Sequence, residues 1–158
     1  MIRYEWTDIE ADIRILADKI KGELSRSDRK ISAIIGIHRG GLVPAVMLSH
    51  LLNLPLKTLE WQTRDQGQAA DVDGLIRILL DCPSDESLLV IDEIADSGKT
   101  LNAIHEQVGF INARFACFPI KVYYGVIVKR TACRLDMPVL SVHVLDSEEW
   151  VHFPWEAD

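Results

Sequence analysis

The sequence predicts an α/β domain built on a mainly parallel sheet with helices on its faces. Short apolar runs rich in β-branched residues recur at Ile31 to Ile37, Leu88 to Ile91 and Val122 to Val128. Uninterrupted runs of this length suit strands buried on both faces of a parallel sheet. Segments with helical apolar spacing stand between them, so strands and helices alternate. Several runs also stop abruptly at charged or glycine-rich turns, the place where sheets of this class bind ligands.

Size and composition bound the reading. The 158 residues match one domain, 1–158, with room for a sizeable core. Hydrophobic content of 48% with 26% charged residues is ordinary for a globular protein. MIRYEWTDIE carries charges early, unlike a secretory leader, and no apolar run approaches the roughly 20 residues of a membrane span. A cytoplasmic protein without a membrane span is expected. The net charge of −7 argues against nonspecific nucleic-acid binding, and a polyanionic ligand would need cations gathered locally. Cys82, Cys117 and Cys133 are odd in number and far apart, with no CxxC pair, and read as reduced packing residues.

Taken in order, Ile9, Ile13, Leu16, Ala17, Ile20 and Leu24 predict an amphipathic helix that ends near Gly22 to Ser25. Thr7 with Glu10 predicts its capping box, and its expected role is packing. Ile31 to Ile37 is the first central strand. It runs into His38, Arg39, Gly40 and Gly41 before the helix Leu42 to Leu52. Glycines there let the backbone approach a ligand, the helix start favours negative charge, and Arg39 supplies a fork suited to phosphate oxygens. A tight turn with a surface arginine is the plain alternative.

Asn53 closes that helix and Pro55 to Trp61 predicts a second strand. Thr63 to Gly74 is polar and long, either a solvated connection or a mobile segment, and it precedes a strand-like run, Leu75 to Leu80. The next stretch, Leu88 to Leu101, concentrates the chemistry. An apolar strand stops at Asp92 and Glu93, and Asp96-Ser97-Gly98-Lys99-Thr100 forms a small-residue turn whose N–H groups can converge on an anion. A triphosphatase P-loop is excluded, because the glycine it needs five positions before Gly98 is Glu93. An ordinary strand, turn and cap leaves adjacent acids at a strand end unexplained, since such charges cost stability unless paired, solvated or metal-bound.

Leu101, Ile104, Val108 and Ile111 continue a helix, and Asn112 to Lys121 carries no functional signal. Val122 to Val128 is a buried strand that delivers Lys129 to its carboxyl end. Thr131 to Pro138 is a loop and Leu140 to Asp146 a final strand. The tail Glu148 to Glu156 is rich in aromatics, fit either for packing or for stacking on a planar base, which is worth roughly 1–3 kcal/mol.

The stretch around Asp92 resembles the phosphoribosyl-pyrophosphate (PRPP) signature of the type I phosphoribosyltransferases. That signature is a hydrophobic strand, two acids, a hydrophobic residue, any residue, Asp, Ser or Thr, Gly, any residue and Thr, with Asp92, Glu93, Asp96, Ser97, Gly98 and Thr100 in register. RGGLVPA resembles the family's pyrophosphate loop, with His38 departing from the commoner residue, and EEWVHFPWE is similar to the tail of bacterial xanthine-guanine phosphoribosyltransferases.

The resemblance runs from about Ile31 to Trp155. It implies a Rossmann-like type I phosphoribosyltransferase fold with a flexible flap and a C-terminal base-binding hood. The implied reaction moves 5-phosphoribosyl from PRPP to a 6-oxopurine (guanine, xanthine or hypoxanthine) with Mg2+ as cofactor and release of pyrophosphate. By resemblance, His38, Arg39, Gly40 and Gly41 take the pyrophosphate, and Asp92 and Glu93 the ribose hydroxyls and metal, directly or through water. Asp96, Ser97, Gly98, Lys99 and Thr100 take the 5′-phosphate. Asp96 also exchanges a proton with the purine N7, and Arg64 reaches in from the flap. Lys129 donates to the 6-oxo group, Trp150 stacks on the purine and Val151 contacts the ring edge through its backbone, while Trp155 is structural. A homodimer or homotetramer is expected. A PRPP-sensing regulator on the same fold, or a transferase for another base, are the alternatives; the acidic composition, Asp96 and Lys129 favour the enzyme.

Overall fold

A computed structural model describes residues 1–62, 70–115 and 119–157. Its elements are β1 (Ile2–Arg3), α1 (Trp6–Ser27), β2 (Lys30–His38), α2 (Leu42–Leu52), β3 (Leu56–Glu60), α3 (Val72–Asp81), β4 (Glu86–Ala95), α4 (Lys99–Phe115), β5 (Lys121–Arg130), β6 (Leu140–Leu145) and β7 (Val151–His152). The main sheet has five strands in the order β3-β2-β4-β5-β6. Every neighbouring pair in it is parallel, so the fold is the parallel, helix-flanked α/β sheet that the sequence predicts. Arg64 lies outside the described residues.

Each face of the sheet buries a core. Ile9, Ile13, Leu16 and Ile20 of α1 and Ala45 and Leu48 of α2 cover Ile34, Leu89, Ile91 and Ile127. Leu75 and Leu79 of α3 and Leu101, Ile104 and Val108 of α4 cover Ile35, Val90, Tyr124 and Val126. Asp12, a buried residue of α1, is matched by His143 of β6, whose Nε2 lies 2.9 Å from each carboxylate oxygen. Asn53 caps α2 in the left-handed conformation, at φ 52°.

Three local expectations are corrected. α1 starts one residue before Thr7: Glu5 is its N-cap, and the Asp8 carboxylate accepts the Glu5 N–H at 2.8 Å. Acids near a helix start are favoured by the dipole, and here they do the capping expected of Thr7 and Glu10. α1 also runs on to Ser27, past Gly22 to Ser25.

Leu75 to Leu80 is helical, not a strand. The Asp71 carboxylate accepts the Gly74 N–H at 2.9 Å and starts the helix. Val72, Leu75, Ile76 and Leu79 then face the core at helical spacing while Leu80 is exposed. Short apolar runs do not separate the two states by composition alone.

β4 continues through Asp92 and Glu93 to Ala95, because its ladder with β5 persists to the Ala95–Lys129 pair. The acids are therefore strand residues near the carboxyl end. α4 reaches Phe115, and Asn112 at its last turn bonds both the N–H and the C=O of Ile120, each at 3.0 Å. The segment without functional signal thus contains a structural clamp.

β1 and β7 form a separate parallel pair that ties the tail to the chain start. The Ile2 N–H donates to the Trp150 C=O at 2.8 Å and the Tyr4 N–H to the His152 C=O at 2.9 Å. A two-residue strand is too short for apolar patterning to announce it.

Candidate active site

From β2 the chain goes to β3 on one side, then returns across β2 to β4 and continues outward to β5 and β6. The strand order therefore reverses between β2 and β4, and a crevice beyond their carboxyl ends is where such sheets bind ligands. A cavity of about 1210 Å³ occupies that position. His38, Arg39 and Gly40 reach it from the β2–α2 turn, and residues 92–101 from β4 and the start of α4. Arg130 comes from the end of β5, and Trp150, Val151, Phe153 and Trp155 from the tail.

The loop from Asp96 to Lys99 is held in one shape. Gly98 has φ 88°, and a Cβ there would lie 2.3 Å from the Arg134 C=O, so the position needs glycine for both reasons. Asn102 fixes the opposing loop with both ends of its amide, donating to the Arg134 C=O at 2.7 Å and accepting the Asp136 N–H at 2.9 Å. Arg134 N–H in turn reaches the Ser97 C=O at 3.4 Å. The start of α4, with Lys99 in its first turn, suits an anion by helix dipole and charge together.

Asp92 and Glu93 border the same cavity. Asp92 Oδ1 accepts the Glu93 N–H at 3.0 Å. Glu93 Oε2 is buried with no hydrogen-bond partner among the described residues. A buried carboxylate oxygen in that state is costly unless a cation or donor joins it. The pair suits Mg2+, which is held by one or two carboxylates together with waters and substrate phosphates.

Lys129 belongs to β5, in register with Ala95 on one side and Val144 on the other. It is half-buried and close enough to Cys133 to act on it: burial pushes the Cys133 thiol up, Lys129 opposes this and Asp96 adds to it. Among the described residues Lys129 does not line the cavity, whereas its neighbour Arg130 does.

Arg130 is the site residue that the sequence reading missed. Its Nε donates to Asp96 Oδ1 at 2.6 Å, and its terminal nitrogens donate to the C=O groups of Ser147 and Glu149, the second at 2.7 Å. The available signal was a pair of cations, Lys129-Arg130, closing an apolar run, of which only the first drew notice.

The tail is an aromatic ladder. Phe153, only 1% exposed, stacks on Tyr4 at 5.5 Å between centroids and on Trp155 at 4.9 Å. Trp155 meets Trp6 at 6.0 Å. Trp150, by contrast, is 55% exposed on the cavity wall. A planar ligand would therefore meet an accessible ring on a segment whose other aromatics are packed.

The family model of the phosphoribosyl transferase domain matches residues 4–158. The chain belongs to that family. It is an enzyme of the phosphoribosyltransferase type, with a glycine-bearing loop, an acidic pair and an arginine-bearing turn at one switch point. It is similar to the xanthine-guanine phosphoribosyltransferase of Cereibacter sphaeroides, 24% identical over 96% of this chain and 84% of the relative. The Idiomarina loihiensis enzyme of that name is 26% identical, over 85% of this chain and 83% of the relative. Among solved structures, a purine phosphoribosyltransferase from Pyrococcus horikoshii aligns with a TM-score of 0.70 at 25% identity, over 99% of this chain and 94% of that one. No helix among the described residues is long and apolar enough to cross a membrane.

Proposed function

We propose that this phosphoribosyltransferase moves the 5-phosphoribosyl group of PRPP to N9 of a 6-oxopurine, releasing pyrophosphate, as a purine salvage enzyme. One observation carries the reading: the Asp96–Thr100 loop, the Asp92–Glu93 pair, the Arg39 turn and the exposed Trp150 all border one cavity. The names of the relatives supply the base class.

The reaction needs a site that neutralises a leaving pyrophosphate and stabilises positive charge on the ribosyl carbon. Arg39 and the backbone of Gly40 and Gly41, next to His38, receive the pyrophosphate. Asp96, Ser97, Gly98, Lys99 and Thr100 hold the 5′-phosphate, and Asp92 and Glu93 orient the ribose hydroxyls. Mg2+, when bound with PRPP near Asp92 and Glu93, supplies charge neutralisation for the leaving group. Trp150 stacks on the purine and the Val151 backbone meets the ring edge; the donor to the 6-oxo oxygen that the family resemblance assigns is Lys129, which stands beside the cavity-lining Arg130 and would have to turn toward the base. Asp96 takes or returns a proton at the purine N7. The protein works in the cytoplasm as a homodimer or homotetramer.

The experiment is purified protein with PRPP, Mg2+ and a panel of guanine, xanthine, hypoxanthine, adenine and pyrimidines, scored by pyrophosphate release. Release with the 6-oxopurines is expected. PRPP binding without release for any base would replace the enzyme with a PRPP sensor, and release with pyrimidines alone would replace the base class.

A further inference from the structure

We infer that Arg130 is a positioning residue that locks the base-binding tail to Asp96, so that stacking of the purine and proton exchange at it share one geometry. The inference rests on the transferase reading above and extends it to a residue with no assigned role. Arg130 is the last residue of β5, and its side chain is 11% exposed. Its guanidinium is a rigid planar fork, so donors aimed at different partners hold those partners in fixed relative positions. Here one edge binds Asp96 Oδ1 at 2.6 Å. The terminal nitrogens bind the C=O groups of Ser147 and Glu149, in the stretch that leads into Trp150 and Val151.

The surroundings leave this contact a well-defined place in the chain path. The end of β6 is pinned, since the Thr131 N–H donates to the Leu145 C=O at 2.9 Å and the Thr131 hydroxyl to the same oxygen at 3.2 Å. Beyond Trp150 the chain is pinned again by the β1–β7 pair. Between these anchors Arg130 receives the backbone of the connecting stretch. Asp96 is half-exposed on its loop, and no other hydrogen bond to its carboxylate forms among the described residues. With Oδ1 committed to Arg130, the other oxygen is the one available to a purine nitrogen. A tail displaced relative to the loop would separate the stacked base from that oxygen, and misplacements near 1 Å are enough to matter in such steps.

The test is two-substrate kinetics of the full chain and its Arg130→Ala and Arg130→Lys variants, with amide hydrogen exchange of each. Arg130→Ala should lower kcat by about 100-fold and raise KM for the base, with KM for PRPP unchanged, because the 5′-phosphate loop keeps its own supports. Arg130→Lys supplies a point charge for Asp96 but no fork for the carbonyls. It should recover part of kcat while the base KM stays high, and amides 147–152 should exchange faster than in the wild type. Equal losses for PRPP and base, or unchanged kinetics in both variants, would overturn the inference. If the wild type turns over no base at all, the transferase reading fails, and exchange then decides the lock by itself: faster exchange confined to residues 147–152 supports it, and unchanged exchange overturns it.

Discussion

The Glu93 carboxylate fills the space where residue 40 would carry a side chain: a Cβ on Gly40 would lie 2.1 Å from Glu93 Oε1. An acid of β4 and the turn after β2 are thus in direct contact across the switch point. The glycine admits the acid, and the acid's buried oxygen Oε2 has no hydrogen-bond partner among the described residues. Glu93→Gln should therefore weaken the hold of the site on a cation, raising the Mg2+ needed for half-maximal turnover by about 10–100-fold. Gly40→Ala should give a similar shift by displacing an intact Glu93. Mg2+ titrations of initial rate at saturating PRPP check both, and an unchanged Mg2+ requirement in Glu93→Gln would remove the metal role from that residue.

Asp96 borders the cavity from the anion loop with one oxygen bound to Arg130. Replacing it by Asn keeps the size of the side chain and removes the carboxylate proposed to exchange a proton. Turnover should fall by about 10²–10⁴-fold, the usual worth of a positioned general acid–base. PRPP affinity, measured by titration calorimetry, should stay near the wild-type value, since in the proposed binding mode backbone N–H groups and Lys99 hold most of the 5′-phosphate. Unaltered turnover would exclude Asp96 from the chemistry.

Gly98 tests the anion loop itself. A side chain there must adopt φ 88° and meet the Arg134 C=O. Gly98→Ala should cost about 1–3 kcal/mol of stability, the usual size of such backbone strain. It should also raise KM for PRPP by moving the N–H groups that cradle the phosphate. Thermal unfolding with and without PRPP separates these effects: a loss of PRPP-induced stabilisation greater than the loss of basal stability marks the cradle.

The parallel sheet and the sites at its strand ends were legible because buried strands such as Ile31 to Ile37 are unbroken apolar runs and the residues that follow them change character abruptly. The run Leu75 to Leu80 was not legible as a helix from its apolar residues: the local signal, Asp71 capping the Gly74 N–H, lies in the polar stretch before it, and the packing against α4 that completes the helix is a tertiary fact. Arg130 was opaque for a related reason. Its partners Asp96, Ser147 and Glu149 lie 34, 17 and 19 residues away, and a cation at a strand end has the same local appearance whether it is solvated or spent. Thr7 and Glu10 fit a capping pattern, yet Glu5 and Asp8 form the cap two residues earlier.

Tyr4 joins the chain start to the tail, stacking on Phe153 at 5.5 Å. Its hydroxyl is pushed up from 10 to about 12, first by burial and then by the charges of Asp12 and Asp8. The folded state therefore holds this proton more tightly than the unfolded chain does. That contribution to stability is complete below pH 10 and is lost as pH rises from there through about 12. Urea unfolding at stepped alkaline pH should show stability falling through this window, and Tyr4→Phe should flatten the fall. The buried Tyr124, also pushed up by burial, titrates in both proteins and cancels in the comparison. Loss of ionisation should also preserve the tail at high pH, so quenching of Trp150 fluorescence by a purine nucleotide should persist to higher pH in Tyr4→Phe than in the wild type. Identical slopes of stability against pH in the two proteins would show that the Tyr4 proton contributes nothing to holding the tail.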